Sequence, residues 1–483
     1  MLQALSDMGY NRSAQRLEQE SGYLLRSPDV ARFRDCVRSG DWAGAESYLP
    51  SLGVSGNNLM FLIRRQKYLE LLELQQIKDA LVVLRTELTP LGVQTNHLHQ
   101  LSSLIMCSNV EDLMAVSQWD GASGESRNLL LVELQRYIST SVMIPERRLE
   151  TLLEQAVQLQ KQMCLYHNYE EHAVSLYCDH MCKRSQFPCK VTHVLQEHTD
   201  EVWYVTFSHS GSLLASSGKD TTAIIWDARD GRSLYVLAGH KDVVSFVAFS
   251  PDDTILLSCS NDKTVAMWDV ETGVRIRELA LHNDFVTACA WLPDGKHFVT
   301  GGLDKNVHIW SAEGDVEMIH TISGNRVTDL AVTPDGKWLV VVCHEKKIRI
   351  YDFATRQDAG ILNEEDHITS LCLAADSRHA LVNLASQEIH LWDLRERRLV
   401  RKYEGHKQGR FVIRSCLGGS NGQFVASGSE DSMLYVWNRD QGVLIEAIPG
   451  HTATINAVAS WKQRLATASD DHSIRIFDPP DDV

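Results

Sequence analysis

The sequence predicts a two-part chain, an N-terminal all-α domain followed by an all-β, seven-bladed propeller. Three observations predict it. From residue 190 onward, aromatic residues recur at Trp226, Trp268, Trp310, Tyr351, Trp392, Trp437 and Phe477, a spacing of 40 to 45 residues. That is the length of one four-stranded blade. In the first third the apolar period changes from two to 3.6, with Ile77, Ala80, Leu81 and Leu84 at i, i+3, i+4 and i+7. At 483 residues the chain also exceeds the size at which one core keeps growing, so at least two domains are expected.

Each repeat is justified by its polar residues. The cleanest copy runs from Gly239 to Asp269. In the best copies a His stands 28 positions before the Trp, an Asp six before it and a hydroxyl four before the Asp. These sets are His198, Ser216, Asp220, Trp226; His240, Ser258, Asp262, Trp268; and His282, Thr300, Asp304, Trp310. Together they make a hydrogen-bond relay, in which Asp holds His, the hydroxyl bridges and the indole N–H donates at the end. On these residues the segment 190–483 resembles the WD-repeat family. In the fourth and fifth copies Val341 and Glu345, then Val382 and Ser386, stand at the hydroxyl and Asp positions, so packing alone is expected to hold those blades. The sixth copy recovers the set with His406, Ser427, Asp431 and Trp437, its His 31 residues before the Trp, which implies a three-residue loop insertion. The seventh keeps His451, Thr467 and Asp471 but ends in Phe477. The apolar run Lys190 to Gln196 precedes the first His and is expected to complete the last blade, leaving no free sheet edge.

Helix punctuation organises residues 1 to about 165 into eight or nine short helices. Ser27-Pro28 offers an N-cap followed by Pro at the first helical position, Gly40-Asp41 ends one helix and caps the next, and Pro145 opens Glu146 to Met163. Trp42, Phe61 and the Leu rows read chiefly as core, because a helix of a globular domain buries one stripe. The opening, with Leu5, Gly9-Tyr10, Ser13-Ala14, Leu17 and Glu20-Ser21, resembles a LisH motif over 1–25, short at its N-terminal end. That resemblance implies a homodimer through Leu5, Tyr10 and Leu17. Residues 27–165, with Phe33-Arg34, Gly40-Asp41-Trp42, Phe61-Leu62 and the stretch Leu84 to Leu91, resemble the CTLH and CRA helices. A linker at 166–189 then leads to the propeller at 190–483.

Composition narrows the function classes. A net charge of −16 argues against sequence-independent nucleic-acid or anionic-membrane partners, since phosphate contact needs a positive footprint. No signal-like segment precedes the fold and no apolar run reaches the ~18 residues a spanning helix needs, so a soluble, cytoplasmic and nuclear protein is expected. The 11 cysteines include no CxxC pair; Cys259, Cys289 and Cys372 fall on apolar strand positions, as reduced thiols do.

Gly418 to Gly422 matches GxSxG, but it joins two antiparallel strands instead of a strand and a helix. Gly218-Lys219-Asp220 lacks the hydroxyl of a phosphate loop and reads as a turn. His172, Cys178, His180, Cys182, Cys189 and His193 crowd together at no recognised zinc spacing, so neither metal nor cofactor is expected. The recurring His–Asp pairs read as framework, because an active site would occur once. Arg229 and Arg395 close two WDxR motifs, which resemble the element with which some propellers engage the adaptor of cullin-4 ubiquitin ligases. A basic run holds Arg395, Arg397, Arg398, Arg401, Lys402, Lys407 and Arg410, a candidate surface for an acidic partner and otherwise a solvated connector.

The order LisH, CTLH, CRA, propeller resembles the WD-repeat subunit family of the CTLH (GID) ubiquitin ligase assembly over nearly the whole chain. The resemblance implies a non-catalytic scaffold: the helical half docks with related subunits, and the propeller presents protein clients for ubiquitylation and proteasomal degradation. A cullin-4 substrate receptor and a LisH/WD-repeat corepressor are the alternatives.

Overall fold

The computed structural model describes residues 1–23, 27–53, 56–92, 95–107, 109–117, 119–138, 147–167, 178–184, 187–313, 315–321, 326–355, 357–409 and 411–480, the side chains of 95–97, 111, 115 and 316–321 apart. The chain divides into two compact units, Met1–Ala156 and Val157–Val483.

The first unit is helical: α1 (Leu2–Asp7), α2 (Asn11–Ser21), α3 (Pro28–Ser39), α4 (Trp42–Tyr48), α5 (Asn57–Glu73), α6 (Ile77–Val82), α7 (Thr95–Ser103), α8 (Val110–Ser117), α9 (Ser126–Gln135) and the first part of α10 (Arg148–Met163). Ser27 Oγ caps α3 by accepting from the Val30 N–H at 3.3 Å, with Pro28 at the first position. Gly40 ends α3 at φ +79°, a left-handed conformation that favours glycine, and a Cβ there would press on the Arg127 guanidinium at 2.4 Å. Asp41 then caps α4 by accepting from the Gly44 N–H at 3.0 Å. One apolar core joins Phe33, Val37, Trp42 and Ala45 to Leu59, Ile63, Leu131 and Leu134. Beside it the buried Glu70 carboxylate accepts from Trp42 Nε1 at 3.1 Å and from Arg127 Nε and Nη2 at 2.8 and 3.0 Å. The 3.6 period places Ile77 on the buried stripe, but Ile77 is exposed. It is the first residue of α6, and a π-turn at Val83–Leu88 shifts the buried face to Ala80, Val83, Leu84 and Leu88.

The second unit carries seven antiparallel four-stranded blades. With strands lettered a (innermost) to d, blades 1 to 6 span 202–238, 244–279, 286–321, 327–363, 368–404 and 415–449. Blade 7 takes strands a to c from 455–478 and its outer strand from Lys190–Leu195, which pairs antiparallel with Ile474–Asp478. The start of the propeller thus closes its end. The backbone repeats even where side chains do not: the residue that opens strand c's turn has φ between +62° and +73° in every blade, at Thr221, Lys263, Lys305, Lys346, Gln387, Ser432 and His472. Neighbouring blades are stitched at strand a. Ser245 Oγ donates to the Val286 carbonyl, Thr287 Oγ1 to Val327, Ser370 Oγ to Ile413 and Asn456 Nδ2 to Val202, at 2.8 to 3.2 Å.

The compact boundary falls inside α10, not at the expected 165. From Val157 on, the helix belongs with the propeller because Gln441 Nε2 donates to the Gln162 carbonyl at 2.7 Å and Leu159 and Met163 face Leu391 and Val400 across a shared groove. No helix among the described residues is long and apolar enough to cross a membrane.

Candidate functional site

Three blades bring each predicted quartet together. In blade 1, His198 Nδ1 lies 2.7 Å from Asp220 Oδ2 and Nε2 lies 2.8 Å from Ser216 Oγ, which accepts from Trp226 Nε1 at 2.9 Å. In blade 2 the His240–Asp262, His240–Ser258 and Trp268–Ser258 distances are 2.9, 2.8 and 2.8 Å. In blade 3 those of His282–Asp304, His282–Thr300 and Trp310–Thr300 are 3.0, 2.9 and 2.9 Å. The donors run in one direction, indole to hydroxyl to imidazole to carboxylate. Burial alone would raise the Asp220 pKa, but hydrogen bonds from His198, Thr222 and the Thr199 N–H bring it down to about 2; Asp262 is likewise brought to about 2 by Thr264, Lys241 N–H and His240. Burial pushes the His282 pKa down against the pull of Asp304. Blade 7 keeps a triad, His451 to Asp471 at 3.0 Å and to Thr467 at 2.7 Å, against Phe477.

Two expectations are corrected. Blade 6 does not close its quartet. Both ring nitrogens of His406 are buried without a hydrogen-bond partner among the described residues, Ser427 Oγ donates to the Gly428 carbonyl, Trp437 Nε1 donates to the Glu404 carbonyl, and Asp431 accepts from Tyr435 Oη at 3.0 Å. The three extra residues put Gly409, not His406, 28 positions before the Trp, and its N–H bonds to Glu430. Blade 5 is not held by packing alone. Glu364, 28 positions before Trp392, takes the indole N–H directly on Oε1 and lies 2.9 Å from His390 Nδ1; His390 Nε2 lies 2.8 Å from Glu388. Burial lowers the His390 pKa, yet the two carboxylates outweigh it and raise it. In blade 4, whose residue 323 lies outside the described residues, buried Val340, Val342, Ile348 and Ile350 form the core, and Tyr351 sits beside Arg349.

The axis of the propeller holds a group the sequence reading missed. Arg414, entering blade 6, places Nη1 2.7 Å from Asp329 Oδ2 of blade 4, while its guanidinium carbon lies 5.2 and 4.9 Å from the stacked rings of Tyr204 and Phe246 in blades 1 and 2. Asp329 also accepts from the Leu371 N–H of blade 5 at 2.9 Å. One side chain therefore ties blades across the channel. No repeat pattern could reveal it, because it occurs once.

Arg229 and Arg395 occupy the same c–d turn of blades 1 and 5, each exposed, with its N–H held by the preceding Asp227 or Asp393. The basic run between Arg395 and Arg410 is partly engaged within the propeller. Arg398 pairs with Glu396, Lys402 with Glu388, Arg397 donates to the Ala359 carbonyl and Arg401 to that of Gln441. Arg410 lies outside the described residues. In the LisH-like segment Leu5 and Leu17 are half-buried and Tyr10 is exposed. The GxSxG decoy lies in the a–b hairpin of blade 6 and Gly218-Lys219-Asp220 in the b–c turn of blade 1. His282, Asp304 and His308 cluster, but both His282 nitrogens are committed to the relay. Of the six Cys and His residues between 172 and 193, the structure groups His180 and Cys182, joined by Cys164, with His167 in contact with Cys182; Cys178, Cys189 and His193 lie elsewhere and His172 is outside the described residues.

Comparison with known proteins accounts for both units. Residues 1–27 match the WDR26 Lis-homology domain, 29–148 a TPR1-like, CTLH-containing domain, 184–438 the IFT122 first beta-propeller and 442–478 a WD domain, G-beta repeat. The chain is 39% identical to a WD repeat-containing protein 26 homolog of Arabidopsis thaliana over 98% of its own length and 82% of that protein. It is 38% identical to GID complex subunit 7 of Schizosaccharomyces pombe over 100% of its own length and 96% of that protein. Likeness to Topless-related protein 3 of Arabidopsis thaliana is confined to 41% of this chain and 19% of that protein, at 27% identity. With a LisH motif, a CTLH-containing helical region and a seven-bladed WD-repeat propeller in one order, the chain belongs to the family of WD repeat-containing protein 26 and GID complex subunit 7.

Proposed function

We propose that the chain is a non-catalytic scaffold and substrate-presenting subunit of a CTLH (GID)-type ubiquitin ligase complex, acting in cytoplasm and nucleus. The observation that carries this reading is the full-length likeness to a GID complex subunit, propeller and helical region together. Two features support it. The His–Asp sets of blades 1, 2 and 3 recur with their hydroxyls, Ser216, Ser258 and Thr300, fully buried and bonded to an indole N–H, as framework requires and a nucleophile open to substrate does not. The helical region exposes apolar side chains, Leu129 and Val132 on α9 and Leu149, Leu152 and Leu153 on α10, of the kind that dock partner helices. Self-association through Leu5, Tyr10 and Leu17 would add an isologous contact.

Affinity purification of the full chain and of residues 1–165, with partners identified by mass spectrometry, tests the proposal. RING-bearing CTLH subunits recovered by both baits support helical docking into a ligase; their absence from both overturns it. A second reading, receptor of a cullin-4 ligase, is favoured by the exposure of Arg229 and Arg395 at equivalent turns. Charge reversal at both would abolish adaptor binding on that reading and leave CTLH-subunit recovery unchanged on ours.

A further inference from the structure

We propose that Cys164, His167, His180 and Cys182 form a four-coordinate zinc site that pins the last turn of α10 to the segment leading into the propeller. The sulfur of Cys182 lies 3.2 Å from His180 Nε2 and 3.5 Å from His167 Nδ1. The ligand atoms of Cys164, His180 and Cys182 all fall within 4.8 Å of one another; His167 meets this group at Cys182 and would close in on the ion as the fourth ligand. Zinc–sulfur and zinc–nitrogen bonds of about 2.3 and 2.05 Å at a tetrahedral angle put sulfur and nitrogen roughly 3.5 Å apart, close to the spacing between Cys182 and each imidazole. The two imidazoles cross edge to face, centroids 4.8 Å apart at 83°, so they converge on a point without stacking. A thiol–imidazole hydrogen bond needs one of each; it gives no reason for a second thiol and a second imidazole at the same place.

The surroundings hold these donors in position. Gln160 on α10 accepts from the His180 N–H at 3.0 Å and donates to Asp179 Oδ1 at 2.9 Å, fixing one pair of ligands against the helix that carries the other. Tyr166, between Cys164 and His167, packs edge-on against Phe187 at 5.9 Å, and Phe187 is buried on Phe424 of blade 6 at 5.4 Å. Cys164 follows the carbonyl end of α10, where a cation is favoured. Two thiolates and two neutral imidazoles suit zinc and neutralise its charge, the two thiol protons passing to solvent on binding. With four protein ligands no position stays open for water, so the site is structural. The spacing, Cys-x2-His then His-x-Cys across 12 intervening residues, is split between a helix end and a loop.

Zinc per chain, measured by elemental mass spectrometry on the full chain purified without chelator, tests the site. The expected value is one, falling at least tenfold in a Cys164→Ser/Cys182→Ser double variant and unchanged in Cys178→Ser, an exposed thiol of the same segment. Should the double variant not fold, cobalt added to metal-stripped wild type decides: a thiolate-to-cobalt charge-transfer band displaced by zinc is expected. No retained zinc together with no cobalt band, an intramolecular Cys164–Cys182 disulfide, or one zinc per chain in a folded double variant would each overturn the proposal.

Discussion

In blade 2 the Trp268 indole gives its N–H to Ser258, whose hydroxyl is held by His240 and, through it, by Asp262; in blade 5 the Trp392 indole gives its N–H straight to the Glu364 carboxylate, which His390 holds from the other side. Blade 6 has the residues of blade 2 and the bonds of neither. The backbone of all three is alike, down to the left-handed residue in the b–c turn at Lys263, Gln387 and Ser432. Strand pairing and apolar packing therefore build a blade, and the polar relay is an addition whose value depends on geometry, not on which residues are present.

The largest effect should come from Asp262→Ala. It leaves His240 Nδ1, the Lys241 and Thr264 N–H groups and the Thr264 hydroxyl without their common acceptor and should cost about 3–4 kcal/mol by urea unfolding. Asp431→Ala in blade 6, which frees Tyr435 Oη, a long contact from Met433 and an exposed pair with Lys407, should cost less than about 1 kcal/mol.

Next in size, Glu364→Gln keeps an acceptor for the indole but removes the charge facing His390, an expected loss of about 1–3 kcal/mol. The two designs also respond oppositely to pH. The folded pKa values of His282 and His451 lie below the free value, so their contribution falls away as pH drops below about 6.5, where the unfolded chain takes up protons that the fold excludes. Asp220 and Asp262 add stability that is complete above about pH 4 and lost on descent through about 2. His390, raised, contributes fully below about 6.5 and loses that contribution as pH rises through its folded value. His390→Gln should therefore flatten the alkaline limb of the melting temperature, and it also removes the bond that holds the Glu388 carboxyl below its usual range. The smallest effect belongs to the surface: Arg398→Ala, an exposed pair with Glu396, should change stability by less than about 0.5 kcal/mol.

The number of blades, their period and the closure by Lys190–Leu195 were legible because each rests on local apolar alternation and a repeated turn, features every copy must keep. The quartets of blades 1 to 3 were legible for the same reason. Blade 6 carries the residues of a closed quartet in its sequence, but the three extra residues after His406 keep its ring from Ser427. Glu364 could have been found by reading the residue 28 before Trp392 in every copy, whatever its type. Arg414 and the cluster around Cys182 carry no such signal. One reaches across the channel between blades distant in sequence, and the other assembles from a helix end and a loop whose spacing follows the fold alone.

The most direct measurement is a matched pair of urea titrations followed by circular dichroism on the full chain carrying His240→Leu or His406→Leu. If closed geometry gives the relay its value, His240→Leu lowers stability by about 2–4 kcal/mol, whereas His406→Leu, replacing a buried imidazole that has no partner by an apolar side chain, leaves it within about 1 kcal/mol or raises it. Equal losses in the two variants would contradict the account.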